Sequence, residues 1–457
     1  MILPLLHAIW HFFHRRMTAT GFGLMRIGWG LTVFLFMLGE WQDVTRYYSA
    51  AGFVPPHLEP VVLRTFDHWT LLDTITDPQA VFMTYLLLLA ACLCMIVGFL
   101  PRLSTIVAVL LIFSFHERNF LPLGGGETVM RLLGFLLMIA PGTTAFSLHR
   151  LRKQWRQFRA SGKLLAPKTM PAWPYLLLVW QFIVLYTMSG WDKVLGTMWV
   201  RGTAVASALH HPQFARFPPW FMDQVSVATV PISLATIVWE FSWLLLLLPA
   251  RWKRALLRGY APWIKRIIIA GGLLFHGAIF LLMDAGSFSM MLFTGYLGLL
   301  TDEDIRDLRG FLNRGVRGPV RRSAGREGGK IVVLFDGICG LCRRSIFAVM
   351  MMDWLHRIVP ADFRSAAIRK KYVPDITEKT LDRSMHVRFL PKRKQAISEA
   401  RTLAGFDGFR ALTWRLPPLW PVAPLLYLPG ITWIGRRTYA RIAQRRNRCR
   451  HGEECRM

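Results

Sequence analysis

Long apolar stretches dominate the first 300 residues of the chain, and short polar segments separate them. A helix needs about 20 mostly apolar residues to cross a bilayer. Stretches of roughly that length lie near residues 24–39, 80–100, 103–116, 128–146, 174–190, 231–249, 267–283 and 287–300. The pattern predicts an α-helical polytopic membrane bundle with about eight transmembrane helices.

The pattern changes after residue 330, where short strands alternate with helices. "KIVVLF" (330–335), "RIVPADF" (357–363) and "SMHVRFL" (384–390) predict strands. "CRRSIFAVMMMDWLHR" (342–357) and "AISEARTLAGFDGFRALTWRL" (396–416) predict helices. The chain therefore divides into a membrane domain and a small α/β domain, with a flexible segment rich in Gly and Arg between them. The predicted boundaries are 1–303, 304–329 and 330–457.

Composition agrees with a membrane protein and limits its partners. Apolar residues make up 53% of the 457 positions, and the mean hydropathy is +0.34, both above the range of soluble domains. The formal net charge is +29. In membrane proteins Lys and Arg collect in cytoplasmic loops, where they attract anionic lipid. We therefore expect membrane lipid as a partner and no nucleic acid.

Loop charge orients the bundle. The loops at 149–168 and 251–266 are rich in Lys and Arg and contain no acid, which is typical of the cytoplasmic side. Residues 40–79 are instead mainly acidic, which suits the opposite side. Eight crossings make all three loops agree. We expect a multi-pass protein of the cell membrane with its C-terminal domain in the cytoplasm.

One cysteine pair has the spacing of redox and metal motifs, in "FDGICGLC" (335–342). Cys339 would sit at a helix N-terminus, where backbone N–H groups and the helix dipole stabilise a thiolate. Cys339 is then the candidate nucleophile and Cys342 the resolving thiol. Two alternatives remain. The pair could bind zinc together with Cys449, Cys455 or His451, or both thiols could be inert.

The C-terminal domain resembles the DCC-type thiol-disulfide oxidoreductase family. The resemblance runs through "FDGICGLC", "SMHVRFL", "GFDGFRALTWRLP" and "YARIAQRRNRCRHGEEC". It implies a thioredoxin-like fold and thiol-disulfide exchange through Cys339 and Cys342, with Asp336 in the same catalytic motif. The implied partner is a protein or small-molecule thiol or disulfide, and thiol exchange requires no cofactor or metal.

Three ionisable residues are candidates in the membrane domain. Glu240 and His276 lie in the middle of apolar stretches, and Lys193 lies between apolar residues in "SGWDKVLGTMWVRGTA" (189–204). Intramembrane ionisable residues are costly and therefore functional candidates, although a structural hydrogen bond or a Trp or Tyr partner explains Glu240 and His276 equally well. Equal depth would let Glu240 and His276 meet inside the bundle, and a desolvated lysine can act as a base.

Residues 17–300 resemble the HTTM membrane domain shared with vitamin K-dependent γ-carboxylases. The matching segments are "MRIGWGLTVFLF", "ERNFLPLGGGETVMRLL", "SGWDKVLGTMWVRGTA", "WEFSWLLLLLP" and "FHGAIFLLMDAGSFSMMLF". The resemblance implies that Lys193 matches the region of the lysine that deprotonates a reduced quinone. A quinone or lipid bound among Lys193, Glu240 and His276 is the candidate cofactor. The chain has no counterpart of that family's lumenal substrate region, which argues against protein carboxylation.

These observations favour a membrane-anchored thiol-disulfide oxidoreductase with its CxxC dithiol on the cytoplasmic side. A second hypothesis is a quinol- or lipid-dependent membrane enzyme to which the CxxC domain supplies electrons. A third is a non-enzymatic membrane scaffold with a zinc-stapled tail.

Overall fold

The computed structural model describes residues 2–53, 55, 70–119, 123–315, 330–390 and 400–448. The chain forms two compact units. The first comprises Met1–Arg152 and Ala166–Asp302, and the second comprises Lys153–Leu165 and Glu303–Met457. Residues 153–165 therefore belong to the C-terminal unit, although the first unit continues after them in the chain.

The first unit is built of helices and one short antiparallel ribbon. The ribbon pairs β1 (Arg16–Thr18) with β2 (Thr169–Pro171). The described helices up to residue 302 are α1 (Ile2–His14), α2 (Thr20–Gly39), α3 (Val44–Tyr48), α4 (Pro78–Val97), α5 (Pro101–Arg118), α6 (Gly125–Ile139), α7 (Leu148–Ser161), α8 (Trp173–Leu195), α9 (Thr197–Val200), α10 (Ala204–His210), α11 (Pro219–Ser226), α12 (Thr229–Ser242), α13 (Ala250–Leu257), α14 (Ile264–Leu282) and α15 (Phe288–Gly298).

All eight predicted apolar stretches fall on helices, but the count of eight crossings is not confirmed. Among the described residues, four helices are long and apolar enough to cross a membrane: Thr20–Gly39, Pro78–Val97, Thr229–Leu247 and Ile264–Leu282. Helices α6 and α15 have 15 and 11 residues. At about 1.5 Å per residue both are shorter than a hydrocarbon core of about 30 Å. The apolar pattern located the helices but overstated their spanning length.

Aromatic packing and small residues bring α8, α12, α14 and α15 together. Phe182 and Tyr186 on α8 stack on Trp243, with ring centroids 5.3 and 4.9 Å apart. Gly272 on α14 lies against Tyr296 on α15, where an added Cβ would come within 2.2 Å of the tyrosine oxygen. These helices therefore pack closely enough for their polar side chains to meet.

The second unit contains a four-stranded mixed sheet in the order β4-β3-β5-β6. Strand β3 (Ile331–Phe335) pairs in parallel with β4 (Ile358–Asp362) and antiparallel with β5 (His386–Phe389). Strand β6 (Thr402–Ala404) pairs antiparallel with β5. The helices are α16 (Asp302–Gly315), α17 (Gly340–Met352), α18 (Ala366–Tyr372), α19 (Glu378–Leu381), α20 (Gly405–Thr413) and α21 (Pro429–Arg448). The three predicted strands are confirmed.

Both faces of this sheet are covered, which explains the continuous apolar run of β3. On one face Ile331 and Val333 pack with Ile346 and Leu412. On the other face Val332 and Leu334 pack in a separate cluster with Phe363, Val373 and Leu381. Phe158 of α7 is part of the first cluster and is 3% exposed.

Two predicted segments differ in the structure. Helix α16 occupies part of the predicted flexible linker, and residues 316–329 lie outside the described residues. The single helix predicted over 396–416 is wrong. Residues 402–404 form strand β6, and the helix begins only at Gly405, whose φ is +58°. This left-handed conformation suits glycine and separates the strand from the helix.

Candidate functional site

The Cys339/Cys342 pair lies where β3 passes into α17. Cys339 is the N-cap residue, with extended φ and ψ of −71° and 118°, and its Sγ accepts a hydrogen bond from the backbone N–H of Cys342 at 3.4 Å. Both cysteines are half-buried. The backbone N–H groups of the first turn and the positive end of the helix dipole favour negative charge on this sulfur. The sequence predicted this N-cap position for Cys339, and its role as the nucleophile stays a prediction.

Asp336 is buried beneath the motif and paired with an arginine. Its Oδ1 accepts hydrogen bonds from the Ile338 N–H and from Arg364 Nε, both at 3.1 Å, and its Oδ2 accepts from Arg364 Nη2 at 2.9 Å. The hydrogen bond to Asp336 raises the pKa of the Arg364 guanidinium above its ordinary value. Both oxygens of this carboxylate are engaged, and the catalytic role predicted for Asp336 stays a prediction.

Arg364 connects the motif to the rest of its unit. It also donates to Glu378 Oε1 at 3.0 Å and to Asp382 Oδ1 at 2.7 Å. Three carboxylates around one guanidinium hold the turn before Cys339 against α19 and the residues that follow it. A planar, permanently charged guanidinium suits this bidentate role better than an ammonium.

Gly337 and Asp362 complete the turn. The Gly337 N–H donates to Asp362 Oδ1 at 2.9 Å, and the Arg364 N–H donates to the same oxygen at 3.0 Å. A Cβ on Gly337 would lie 2.0 Å from Asp362 Oδ2. The sequence reasoning did not find Asp362 and Arg364. Their position near the CxxC could have been predicted from the order of strands and helices. Strands β3 and β4 are parallel, and the residues at the carboxyl ends of parallel strands meet at one edge of a sheet.

The predicted ionisable residues of the membrane unit form a second cluster. Lys193 Nζ lies 2.8 Å from Glu240 Oε1 and donates to Ser189 Oγ at 2.6 Å. Ser189 Oγ donates to the same Glu240 oxygen at 3.0 Å. The side chains of Lys193 and Glu240 are 15% and 3% exposed, so the ion pair is largely desolvated. Glu240 is thus paired with Lys193 and Ser189.

His276 is hydrogen-bonded to a tyrosine, the kind of partner that the structural alternative named for it. Its Nε2 lies 2.9 Å from the Tyr186 hydroxyl, which in turn lies 2.5 Å from the Tyr296 hydroxyl. The expected meeting of Glu240 and His276 is not seen as a direct hydrogen bond. Both are instead linked to α8, because Tyr186, Ser189 and Lys193 recur at helical spacing on one face of that helix. Tyr186, Ser189 and Tyr296 were missed by the sequence reasoning, which searched for ionisable side chains.

Metal ligands do not gather in the described part of the chain. No group of three or more His, Cys, Asp or Glu side chains there could hold a metal ion. The partners predicted for a zinc site, Cys449, His451 and Cys455, lie outside the described residues.

Comparison with known families matches both units. A family model for the HTTM domain covers residues 14–258, more than half of the chain. The chain belongs to the HTTM-domain family. A second model, for DCC1-like thiol-disulfide oxidoreductase, covers residues 333–451 of the HTTM-domain protein. No curated protein and no solved structure matches the chain.

These matches confirm the two resemblances and their order along the chain. The HTTM domain and the four long apolar helices identify a membrane protein. Its small C-terminal α/β domain matches the model of a thiol-disulfide oxidoreductase family. Together the two domains fit a membrane redox protein.

Proposed function

We propose that this HTTM-domain protein is a membrane-anchored thiol-disulfide oxidoreductase that reacts through Cys339 and Cys342. The observation that carries the proposal is the position of Cys339 at the N-cap of α17, where its sulfur accepts the Cys342 N–H. A thiolate stabilised in this way is the reactive form of cysteine. The match to the DCC1-like family supports the same chemistry.

The reaction would proceed in two exchanges. The Cys339 thiolate attacks one sulfur of a substrate disulfide, forming a mixed disulfide and releasing the other sulfur as a thiolate. The Cys342 thiolate then attacks Cys339 Sγ, releases the second substrate thiolate and closes a Cys339–Cys342 disulfide. The substrate gains two electrons and the protein dithiol loses two. A separate dithiol must then reduce the protein, or the sequence runs in reverse and oxidises a substrate dithiol.

Several features support a thioredoxin-like site in this proposal. A buried strand leads directly into the CxxC, and the helix that follows begins at the first cysteine. The sheet is mixed, with β5 antiparallel to the parallel pair β3 and β4. In this scheme Asp336 and Arg364 hold the turn, and Asp336 acts on the reaction through the geometry of Cys339.

The placement of the site is also part of the proposal. The loops at 149–168 and 251–266 contain many Lys and Arg and no Asp or Glu, which supports a cytoplasmic CxxC unit of a multi-pass protein in the cell membrane. There the surrounding glutathione pool is reducing. The site would then act mainly as a reductase of disulfides.

Thiol trapping of the full-length protein in detergent across a glutathione redox series tests the exchange reaction. We expect reversible conversion between dithiol and disulfide at a potential between roughly −120 and −270 mV. Cys342→Ser should accumulate a mixed disulfide on Cys339, and Cys339→Ser should abolish reduction of a peptide disulfide. Cys92→Ser, buried in α4, is the matched control and should react as the wild type does.

Two results would contradict the proposal. Full activity in Cys339→Ser, with loss only in Cys342→Ser, would reverse the roles of the two thiols. Stoichiometric zinc in the purified protein, with thiols that resist trapping, would favour the scaffold hypothesis instead.

A second candidate function rests on two unpartnered atoms in the membrane unit. Glu240 Oε2 and His276 Nδ1 are buried and have no hydrogen-bond partner among the described residues. A buried acceptor without a donor is costly, so a ligand hydroxyl fits there. We propose that a quinol or hydroxyl-bearing lipid binds at this cluster. A quinol would supply two-electron redox chemistry there, and the CxxC dithiol would regenerate it by reducing the quinone as Cys339 and Cys342 close to a disulfide.

The geometry assigns different roles to Lys193 and Glu240 in that case. Within the ion pair, Lys193 Nζ donates to Glu240 Oε1 and to Ser189 Oγ. It therefore orients the carboxylate, and Glu240 Oε2 is the acceptor that could take a proton from a hydroxyl. Quinone binding, measured as quinone retained after purification from quinone-supplemented membranes, should fall in Glu240→Leu and persist in the neighbouring Thr236→Val. Equal retention in both variants, or an unchanged quinone turnover in Lys193→Ala, would contradict this function.

A further inference from the structure

We infer that a cavity beside Cys342 binds an apolar side chain of a polypeptide substrate, next to the disulfide that the substrate presents to Cys339. The inference rests on the proposed exchange reaction and adds a substrate class to it. The substrate class is a polypeptide whose disulfide is flanked by a large apolar residue.

The cavity lies between the sheet and three helices of the second unit. Its volume is about 320 Å³. Strand β3 contributes Phe335, α17 contributes Cys342, α20 contributes Phe409, and α21 contributes Ile442 and Ala443. Phe409 and Ile442 remain 37% and 47% exposed, so the cavity opens to its surroundings on this side. A ligand can therefore enter the cavity, and the cavity adjoins the CxxC motif through Cys342.

The lining of the cavity disfavours binding of a charged group, such as those of a charged small-molecule disulfide. Among the described residues that line the cavity, none carries a charged side chain, and the polar groups are those of Cys342, Ser345 and Tyr439. An ionised carboxylate moved into such a place would lose its hydration without gaining a cation. Glutathione disulfide has ionised carboxylates at the ends of each half, so it could reach the sulfurs but could not fill the cavity.

The size of the cavity indicates one side chain. Pockets for whole drug-sized ligands begin at about 300 Å³ and extend to about 1,000 Å³. A cavity at the lower end of that range accommodates a phenylalanine or leucine side chain but not a lipid with its acyl chains. A polypeptide also satisfies the chemistry, because the same molecule carries the disulfide and the apolar group.

The position of Cys342 in the wall connects the cavity to the reaction. Residues three apart on a helix have Cβ atoms about 5–6 Å apart, so Cys339 lies one turn from the cavity. The side chain of Ile338, directly before Cys339, is 81% exposed. A substrate segment joined to Cys339 as a mixed disulfide would place its neighbouring side chain in the cavity, and Ile338 is exposed for a further apolar contact.

Bound in this way, the substrate stays in place for the second exchange. The bond between Cys339 and the substrate sulfur forms as the substrate disulfide breaks, and the first thiolate leaves. Cys342 then attacks Cys339, which breaks the mixed disulfide and releases the second thiolate. The apolar contact holds the mixed disulfide beside Cys342 during this step without taking part in the electron transfer.

Matched peptide disulfides test the inference. The probes are the disulfide dimers of acetyl-Gly-Cys-Phe-amide and acetyl-Gly-Cys-Ser-amide, reacted with the reduced full-length protein in detergent. We expect the Phe dimer to oxidise the CxxC about tenfold faster than the Ser dimer, since apolar groups in such pockets discriminate by at least this factor. Ala443→Phe fills the cavity from α21 and should reduce the ratio to about one. Ala440→Phe, exposed on the same helix and outside the cavity, should preserve it.

The outcomes separate this inference from the proposed function. Oxidation by both dimers at equal rates in the wild type would overturn the apolar site and leave the exchange reaction standing. No reaction with either dimer beyond that of Cys339→Ser would overturn the proposed function. If Ala443→Phe loses reaction with the Ser dimer as well, Ile442→Ser replaces it as the test. That variant should also lower the ratio, and an unchanged ratio would contradict the inference.

Discussion

Gly337 determines whether the turn before Cys339 can form. An added methyl would lie 2.0 Å from Asp362 Oδ2, the oxygen beside the one that accepts the Gly337 N–H. We expect Gly337→Ala to lower the free energy of unfolding of the C-terminal unit by about 1–3 kcal/mol and to slow disulfide exchange. Gly340→Ala is the control, because no atom lies within 4 Å of its Cβ position and alanine favours the first turn of α17. Denaturant unfolding and thiol trapping of both variants give the measurement, and equal behaviour would refute the steric argument.

Glu40, directly after α2, gives the first unit a pH dependence. Burial raises the pKa of its carboxyl group to about 6, although the Tyr48 hydroxyl donates to it at 2.9 Å. Because the pKa of Glu40 is higher in the folded protein, its contribution to stability is fully present when the pH is below the ordinary pKa of a glutamate. That contribution is lost as the pH rises through about 6. Glu40→Gln should therefore raise the free energy of unfolding by about 1 kcal/mol at about pH 7.5, seen as a higher melting temperature. Near pH 4.5 the melting temperature should be unchanged. Asp284→Asn, at an exposed carboxylate, should show no such crossover. A gain that persists equally at low pH would contradict the assignment.

At the scale of elements, part of α7 is needed for the core of the C-terminal unit. Phe158 is buried, and the ring of Phe347 on α17 lies 5.6 Å from it and 5.1 Å from the ring of Trp155. Arg343, directly after Cys342, also donates a hydrogen bond to the carbonyl oxygen of Arg159. The helix that carries the cysteines is thus supported by a segment more than 170 residues earlier in the chain.

Truncating that support should destabilise the redox unit. We expect Phe158→Ala to lower the free energy of unfolding of this unit by about 3–5 kcal/mol, as for other buried aromatic residues. Arg156→Ala, exposed on the same helix, should cost less than about 0.5 kcal/mol. Limited proteolysis or hydrogen exchange of the full chain distinguishes the two. A fragment covering only residues 320–457 lacks this segment, so it should be less stable than the same fragment with a 148–165 peptide added. No gain on adding the peptide would show that the contact is dispensable.

At the scale of the whole molecule, the side of the membrane on which the CxxC lies decides its redox environment. An even number of crossings places the C-terminal unit on the same side as the basic loops at 149–168 and 251–266. A membrane-impermeant maleimide should therefore label Cys339 and Cys342 only after the cells are permeabilised. A cysteine introduced in the acidic segment 40–79 should be labelled in intact cells and serves as the control. Labelling of the CxxC in intact cells would require an odd number of crossings and an oxidising environment for the site.

The sequence alone determined the features that depend on neighbouring residues. Apolar runs located the helices of the membrane unit, and "KIVVLF" located a strand that both faces of the sheet cover. The start of α17 at the CxxC was also predictable, because capping and helix period act within one or two turns. The residues Lys193, Glu240 and His276 stood out because charge is rare in apolar stretches.

Only the tertiary structure decided which of these residues meet. Lys193 and Glu240 are 47 positions apart, and Asp336 and Arg364 are 28 apart, so no local pattern pairs them. Their partners depend on how helices and strands pack, as does the assignment of residues 153–165 to the C-terminal unit. The cavity beside Cys342 likewise exists only where β3, α17, α20 and α21 come together. Such contacts arise from shape and burial across the folded chain, which hydrophobic periodicity does not encode.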